Sequence, residues 1–492
     1  VFHEYPVLIG YFSMFFIATG LIEAIWGFRQ LQGWAYSNHS LFRLTGSFFN
    51  PGPYSGYLAI TLPVALGILL EQSKRNMPYY LSMGCIGTAI VVLPAGMSRS
   101  AWIAVVVSCA WVYALYRLDR KQAATRLRQH KRWYIIGGIL GGILLLGGSA
   151  SLYTLKKDSA DGRFLMWKIT TKAIQKQPIT GTSLGGFPAA YAETQAEYMA
   201  SGKATEQEKL VAGCPEYAFN EYLQIGLEQG LVGLALFIGW LGLLFYKGIK
   251  NKRYACCGGL MSLAIFAFSS YPLQLPEFWV VLIFLGVMSV TPDKDEIREN
   301  QAESNGHRWG KQIFFMGIAI LGIGLFWMQK DHYKAYQQWN KAQMYYKNKA
   351  YEAALEVYEP LYPLLKHKPE FLFEVAQCLS KTGRYEKANG YLERAVLLSS
   401  DPMLYYVMAK NEQCLGEYRQ AEKHLLHAID ILPERIYPYY LLMNLYTEPS
   451  YFQPAKLKMA IDSVLTKKPK VESSAIKEMK EKARSMLNNT SI

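Results

Sequence analysis

Three short stretches in the first half of the chain carry residues that could do chemistry, and the first two contain an arginine suited to binding an anionic ligand. Arg99 lies in Ser98–Trp102, Arg163 lies in Asp161–Arg163, and the third stretch is Tyr217–Gln224. A guanidinium group can bind phosphate oxygens through two hydrogen bonds, and a helix N-terminus offers N–H groups that lack intrahelical partners. These residue types therefore indicate an anionic ligand such as a phosphate.

Ser98 or Ser100 is predicted to cap a helix, which leaves Arg99 at the positive end of the helix dipole. This arrangement predicts an anion site. The alternative is that Arg99 is an interface anchor beside Trp102, with its charge extended to the membrane surface.

Asp161 is predicted to cap an amphipathic helix, in which Arg163 occupies the first turn. A cation there opposes the helix dipole, so Arg163 more plausibly meets an anionic ligand or an acidic partner. The residues predicted to share the apolar face are Leu165, Ile169 and Ala173. Glycines 181, 185 and 186 then predict a flexible loop. The loop is not a P-loop, because the GK[ST] element is absent.

The third stretch places Asn220 and Gln224 four residues apart, and Glu221 and Glu228 seven apart. On a helix these form two polar rows on adjacent parts of one surface. Apolar neighbours could raise the pKa of Glu221 and make it a general base. The alternative is that Asn220 and Glu221 only form the N-terminal cap of a helix at the membrane surface.

The elements around these stretches are apolar runs typical of membrane spans. The sequence predicts an all-α, polytopic membrane protein with about nine spans, near residues 6–28, 53–70, 78–97, 101–117, 134–154, 229–247, 254–271, 274–291 and 312–329. The formal charge of +14 does not indicate nucleic-acid binding, because the positive charge is concentrated between spans.

Lys and Arg are enriched in the links near 74–75, 117–132, 247–253 and 294–311, which the positive-inside rule assigns to the cytoplasm. The alternation of spans then puts segment 29–52, Arg99, the loop 155–228 and everything after residue 329 outside. We therefore predict an extracytoplasmic loop. The chain begins at Val1 within an apolar stretch, and we expect the natural protein to have further spans before it.

The C-terminal part is predicted to be an α-solenoid. The pairs Tyr351/Ala354, Tyr385/Ala388 and Tyr418/Ala421 recur at spacings of 34 and 33 residues, as in tetratricopeptide repeats. Such arrays present a concave surface for a protein or peptide partner, and a spacer without a ligand is the alternative. The predicted domains are a multi-span domain 1–291 that includes the loop 155–228, a link with a final span 292–332, the repeats 333–470 and a charged tail 471–492.

These stretches, together with Gly46–Tyr57, resemble the O-antigen ligase and polymerase superfamily over roughly residues 1–290. The resemblance implies a multi-pass glycosyltransferase of the bacterial inner membrane that acts on the periplasmic face without a metal or other cofactor. The implied donor is a polyprenyl-diphosphate-linked glycan, and the acceptor is a hydroxyl group of a lipid, a glycan or a protein. In the ligases a comparable loop follows the ninth span; here five precede it, in agreement with four missing from the N-terminus.

By this resemblance Arg99 and Arg163 bind the donor diphosphate, and Glu221 joins them as the third candidate catalytic residue. The candidate substrate-binding residues, taken from the same stretches, are Asn220, Tyr222 and Asn50. One position departs from the family. Many ligases carry a histidine immediately before the asparagine of the third stretch, and this chain has Phe219. Glu221 or His39 could replace that histidine, or the acceptor chemistry could differ. The departure counts against lipopolysaccharide ligation and leaves polymerisation and protein O-glycosylation open.

Two other functions compete with a transferase. A transporter or flippase usually carries charged groups near mid-membrane and inverted repeats, and the sequence indicates neither, since Glu23 and Glu277 lie near span ends. A scaffold without catalysis would recruit partners through the repeats. The absence of the histidine favours this second alternative.

Overall fold

The structure is a computed structural model that describes residues 7–72, 75–119, 157–292, 308–469 and 471–489. These residues form helices and no strand, so the all-α class is confirmed. Their contacts divide the chain into two compact units. The first contains 1–160, 218–226 and 231–308, and the second contains 161–217, 227–230 and 309–492.

The first ten helices include every predicted span before residue 292 that the structure describes. They are α1 (Val7–Leu31), α2 (Pro51–Glu71), α3 (Met77–Val92), α4 (Arg99–Asp119), α5 (Lys157–Lys176), α6 (Phe187–Ala200), α7 (Glu206–Val211), α8 (Glu221–Lys250), α9 (Tyr254–Ala267) and α10 (Pro276–Val290). Four are long and apolar enough to cross a membrane: Leu8–Leu31, Pro51–Glu71, Arg99–Asp119 and Glu221–Lys250.

The remaining predicted spans fall into three groups. Helices α3, α9 and α10 are apolar but only 14 to 16 residues long. The predicted span 134–154 lies outside the described residues, and 312–329 corresponds to a 21-residue helix that begins at Arg308. The chain is thus a multi-pass membrane protein, and the number nine stays a prediction.

Helix α2 is the centre of the first unit, and it packs against α1, α3, α4 and α9. It is apolar around its whole circumference, as expected of a fully surrounded helix. Small residues let the backbones of α2 and α9 approach each other closely. A Cβ at Gly67 would lie only 2.6 Å from the Cα of Ala255. The hydroxyl of Ser262 on α9 donates to the Ala59 carbonyl at 2.7 Å.

The helix ends of the first unit cluster in two places. At one end Gly96 packs against Ser55 and Gly56 packs against Phe266, which brings together the starts of α2 and α4 and the end of α9. At the other end Tyr116 hydrogen-bonds Glu71, and Lys252 lies 3.5 Å from Asp119. The second end carries basic residues, namely Arg117, Lys247, Lys250, Lys252 and Arg253. This clustering agrees with the predicted alternation, while the orientation in a membrane stays a prediction.

The second unit contains the repeats. After α11 (Arg308–Met328) they consist of α12 (Lys330–Lys347), α13 (Tyr351–Tyr358), α14 (Tyr362–Leu365), α15 (Pro369–Lys381), α16 (Tyr385–Val396), α17 (Met403–Leu415), α18 (Tyr418–Ile431), α19 (Ile436–Leu445), α20 (Pro454–Thr466) and α21 (Ser474–Asn489). The repeated alanines at positions 354, 388 and 421 are fully buried where helices touch. Gly383 and Gly416 adopt φ near +80° in the turns. The repeat pattern therefore forms the predicted helical hairpins.

Two segments belong to this unit although the sequence assigned them elsewhere. The loop residues 161–217 group with the repeats, whereas the sequence grouped them with the multi-span domain. Gln195 on α6 explains why: its amide donates to the carbonyls of Gly213 at 3.1 Å and of Ile431 at 2.9 Å. The predicted charged tail is also ordered, because it forms α21, which buries Ala483.

A pair of glycines fixes the segment after α5. Gly181 and Gly230 both have φ near +70°, and a Cβ at Gly181 would lie 2.5 Å from the Glu228 backbone. The Thr182 amide donates to the Leu227 carbonyl at 2.9 Å. Gly181 thus serves close backbone packing, and the prediction of a flexible loop is wrong at this position.

Candidate functional site

Helix α4 begins at Arg99, as predicted for Ser98–Trp102. The Trp102 amide donates to the Ser98 carbonyl at 3.2 Å. The hydroxyls of Ser98 and Ser100 lie 3.4 Å apart, and the Trp102 indole donates to the Leu93 carbonyl at 3.1 Å. Arg99 therefore occupies the first turn, where the helix dipole is positive.

Asn50 lies at the start of α2, at the same end of the first unit. It is the N-cap of that helix, and its side-chain oxygen accepts from the Gly52 amide at 3.0 Å. The packing of Gly96 on Ser55 joins this helix start to the segment that precedes Arg99. The stretches Gly46–Tyr57 and Ser98–Trp102 are thus neighbours in space.

Asn220 is the N-cap of α8, the helix that the third stretch opens. Its side-chain oxygen accepts from the Leu223 amide at 3.1 Å. Gln224 accepts from the Ala218 amide at 3.0 Å, so both polar side chains hold the beginning of the helix. Tyr222 donates its hydroxyl to the Ala264 carbonyl at 2.9 Å, which ties α8 to α9.

Glu221 is the most buried charged residue of the third stretch, with 1% of its surface exposed. One carboxylate oxygen accepts from the Leu273 amide at 2.6 Å, and the other accepts from the Gln274 side chain at 2.9 Å. A buried carboxylate is stabilised by such donors. Glu221 therefore joins the start of α8 to the 3-10 turn Pro272–Gln274.

Phe219 occupies the position of the ligase histidine. Its backbone has φ +49°, a left-handed conformation that is costly for a bulky residue. The ring packs edge-to-face against Tyr271, with centroids 4.9 Å apart. An aromatic hydrocarbon replaces a titratable ring here, so position 219 supplies no proton acceptor.

An open groove of about 420 Å³ lies between the starts of α4 and α8 and the end of α9. Ser100 and Ile103 line it from α4, Tyr222 lines it from α8, and Ile265 and Phe268 line the remaining side. Its surface is mostly apolar, as suits a hydrocarbon ligand. Ser100, which lines the groove, directly follows Arg99 in the sequence.

Arg163 lies in the second unit, on α5. This helix begins at Lys157, so the prediction that Asp161 is its N-cap is wrong. Residues 157–160 are already helical and contain no Gly or Pro, and Asp158 places a carboxylate in the first turn. The Asp161 carboxylate instead accepts a hydrogen bond from the side-chain amide of Gln207 at 3.2 Å. Arg163 is therefore in the second turn, where the dipole opposes a cation less.

The apolar face predicted for α5 is confirmed, since Leu165, Ile169 and Ala173 are all buried. The neighbouring helix α7 starts with a capping box in which Thr205 and Glu208 bond each other's backbone N–H groups. Lys168 of α5 lies 2.6 Å from Glu208. A salt bridge and a cap thus hold α5 and α7 together.

Glu208→Gln is expected to lower the stability of this loop by about 1–2 kcal/mol at pH 7. Burial raises the pKa of Glu208, but bonds from Lys168, the Thr205 amide and Tyr198 outweigh it and lower the pKa to about 2. A lowered folded-state pKa stabilises the protein above the unfolded value near 4.5, and this contribution disappears as the pH falls towards 2. Thermal unfolding measured across this range tests it. Glu206→Gln on the same helix is the control, and an equal loss from both would contradict the prediction.

Residues 84–238 match the family model of the O-antigen ligase. The match contains Arg99, Arg163 and the residues 220–222, and it begins at residue 84, so Asn50 lies outside it. The resemblance inferred from the three stretches is therefore confirmed.

A second family model, described as anaphase-promoting complex, cyclosome, subunit 3, matches residues 347–428. This range contains the three tyrosine–alanine pairs, which supports a repeat of the tetratricopeptide type. None of the curated proteins matches the chain.

The structure thus brings most of the predicted site residues into one unit. Arg99, Asn50 and the residues 220–222 belong to the first unit, at the helix starts of α4, α2 and α8. Arg163 belongs to the second. Sequence reasoning missed the segment 272–274, which supplies the donors to Glu221, because no motif marks a turn whose Leu273 is 52 residues away.

Proposed function

We propose that this chain transfers an oligosaccharide from a polyprenyl diphosphate to a hydroxyl acceptor on the extracytoplasmic face of the membrane. The observation that carries the proposal is the O-antigen ligase match over 84–238, which includes both Arg99 and Arg163. The helix starts of α2, α4 and α8 support it, because N-termini that point to one end of a bundle favour an anionic group there.

In this proposal Arg99 and Arg163 bind the donor diphosphate. The acceptor oxygen attacks the anomeric carbon, the bond from that carbon to the diphosphate oxygen breaks, and the proton of the acceptor hydroxyl passes to water. Polyprenyl diphosphate leaves with the bonding electrons. Fixed cations stabilise the negative charge that grows on this leaving group more strongly than water does. The reaction as proposed uses no metal.

The apolar groove lined by Ser100 and Tyr222 is proposed to hold the first part of the polyprenyl chain. A hydrocarbon chain gains from contact with Ile103 and Phe268. Ser100 lines the groove and Arg99 opens the same helix, so a donor bound here is proposed to place its diphosphate at the start of α4 and its hydrocarbon chain in the groove. We propose that three further residues shape the substrate site by fixing the starts of α2 and α8, namely Asn50, Asn220 and Tyr222.

The orientation is also a proposal. The end of the first unit that carries Arg117 and the basic residues 247–253 is proposed to face the cytoplasm of a bacterial cell, as the positive-inside rule expects. The end with Arg99 and Asn50 then faces the periplasm. The membrane is proposed to be the bacterial inner membrane. The loop and the repeats are then proposed to lie in the periplasm.

Phe219 favours polymerisation or protein O-glycosylation over lipopolysaccharide ligation. Without a histidine at this position the acceptor hydroxyl has one fewer candidate base. Comparison of surface glycans in cells with and without the gene separates the functions. Loss of long chains indicates a polymerase, whereas accumulation of full-length lipid-linked glycan indicates a ligase. Loss of glycan from proteins alone indicates protein glycosylation, and an unchanged profile contradicts the transferase and favours a scaffold.

Glu221→Gln distinguishes a base from a positioning residue. Both carboxylate oxygens accept hydrogen bonds, so we propose that Glu221 positions α8 against Pro272–Gln274. The amide retains one acceptor oxygen, and transfer is then expected to fall less than about tenfold while its pH profile is unchanged. A general base would cost roughly 10²–10⁴-fold. Initial rates over a pH series measure this, and a large loss with a shifted profile would contradict the positioning role.

A further inference from the structure

A second, larger groove lies within the second unit, where the loop segment 161–217 meets the repeats. It has a volume of about 820 Å³, which is in the range of sites that enclose sizeable ligands. Cys214 and Glu216 form one wall, and residues of α15, α17 and the start of α19 form the others. The groove therefore belongs to neither the loop nor the repeats alone.

Two contacts hold the loop on the repeats beside this groove. The Ser400 hydroxyl donates to the Pro215 carbonyl at 3.2 Å, and the buried Gln195 bonds the Ile431 carbonyl at 2.9 Å. Each of these hydrogen bonds joins a backbone carbonyl on one side, loop or repeats, to a side chain on the other. Segment 214–217 is thus fixed as a wall, directly before the Ala218–Gln224 part of the third stretch.

The rim of the groove carries charges of both signs. Glu216, Glu370 and Asp401 are exposed carboxylates, and Arg435 is an exposed guanidinium group. Asp401 uses one oxygen to accept from the Met403 amide at 2.9 Å. Strong acceptors and a strong donor therefore face the same space.

Glu374 also lines the groove, but its carboxylate is used within the repeats. It accepts from the indole of Trp339 at 2.7 Å, from Gln343 at 2.8 Å and from the hydroxyl of Tyr358 at 2.8 Å. Three donors satisfy this group. The carboxylates that serve a ligand are those at the rim.

The floor of the groove is aromatic and aliphatic. Phe373, Leu404, Tyr406 and Tyr437 line it, and the rings of Tyr406 and Tyr437 meet edge-to-face with centroids 5.3 Å apart. The Tyr406 side chain is 4% exposed, and its hydroxyl has no hydrogen-bond partner among the described residues. A buried hydroxyl in this situation is unusual, and here it borders a polar groove.

We infer that this groove binds an uncharged oligosaccharide, namely the glycan that the proposed reaction extends or transfers. A sugar hydroxyl both donates and accepts hydrogen bonds, so it suits carboxylates and a guanidinium group on one rim. The C–H faces of the sugar ring suit the aromatic floor. The three carboxylates outnumber Arg435, so an anionic ligand would be opposed, and Arg435 offers a donor that a sugar hydroxyl can accept from and an ammonium group cannot. The inference rests on the proposed function, because it identifies the substrate of that site.

The test uses the full chain in lipid nanodiscs. The probe is the oligosaccharide released by mild acid from the polyprenyl-diphosphate pool of the source cells, labelled at its reducing end. Glu370→Ala removes an exposed acceptor without disturbing the core, and Phe373→Ala removes part of the floor. Each is expected to raise Kd about tenfold, the effect of about 1.4 kcal/mol. Glu393→Ala, an exposed carboxylate outside the groove, is expected to leave Kd unchanged.

The outcomes separate this inference from the proposed function. Arg99→Ala should lower transfer about a hundredfold or more and keep the wild-type Kd for the probe. If the wild type binds the probe through Glu370 and Phe373 but transfers nothing, the groove stands and the proposed function fails. No binding by the wild type, wild-type affinity in both groove variants, or salt-sensitive binding of a lysine-rich peptide in place of the glycan would overturn the inference.

Discussion

Arg99→Ala and Arg163→Ala are each expected to lower glycan transfer about a hundredfold or more. The departing diphosphate gains negative charge as the sugar bond breaks, and each guanidinium group is proposed to stabilise that charge. Arg→Lys at either site is expected to recover only part of the rate, because an ammonium group lacks the planar pair of donors. Initial rates in membranes with matched protein levels measure the effect.

Arg117→Ala is the matched control for Arg99→Ala. Arg117 is on the same helix, in its last turn, where it donates to the Tyr113 hydroxyl at 2.8 Å. It lies at the opposite end of the first unit, so its loss is expected to leave transfer within about twofold of the wild type, as for a surface residue away from the chemistry. Undiminished transfer in both Arg99→Ala and Arg163→Ala would defeat the assignment of these residues to the diphosphate.

Gly230→Ala is expected to destabilise the chain by more than about 3 kcal/mol. Gly230 has φ +71° inside α8, and a Cβ there would overlap the carbonyl of Ile179. Relief of the clash requires the loop after α5 to leave the backbone of 227–230. That separation would break the bond from the Thr182 amide to Leu227. Thermal unfolding and limited proteolysis of the purified chain report the loss.

Gly239→Ala is the control for the backbone effect. Gly239 is on the same helix, nothing lies within 4 Å of the position that its Cβ would take, and its φ is not in the left-handed region. Alanine there is expected to leave the melting temperature unchanged or to raise it slightly, since alanine favours the helix. Equal melting temperatures for both variants and the wild type would contradict the close contact between Ile179 and Gly230.

The repeats show how far sequence alone can lead. A period of 34 and 33 residues predicts helix pairs because each repeat needs a small residue at the same contact, and Ala354, Ala388 and Ala421 are all buried as expected. The three polar stretches were likewise found from residue types. Helix α8 begins directly after Asn220 because Asn is a good N-cap residue, which is a short-range effect.

Long-range contacts account for what the sequence did not predict. Gln195 and Ile431 are 236 residues apart, and no local pattern indicates that the loop packs on the repeats. Gly181 predicts flexibility when considered alone, and only the approach of residues 227–230 reveals that it is needed for packing. The start of α5 was placed at Asp161 because that residue is a good cap, whereas residues 157–160 continue the helix.

The central claim is transfer from a polyprenyl diphosphate, and reconstitution tests it most directly. The purified chain in liposomes is supplied with the polyprenyl-diphosphate glycan of the source cells and a hydroxyl acceptor from the same membranes. We expect one polyprenyl diphosphate to be released for each glycan newly linked to an acceptor, and release to fall about a hundredfold in Arg99→Ala. If the folded wild-type protein links no glycan to the acceptor and the amount of lipid-linked donor does not fall, transfer from a polyprenyl diphosphate is contradicted.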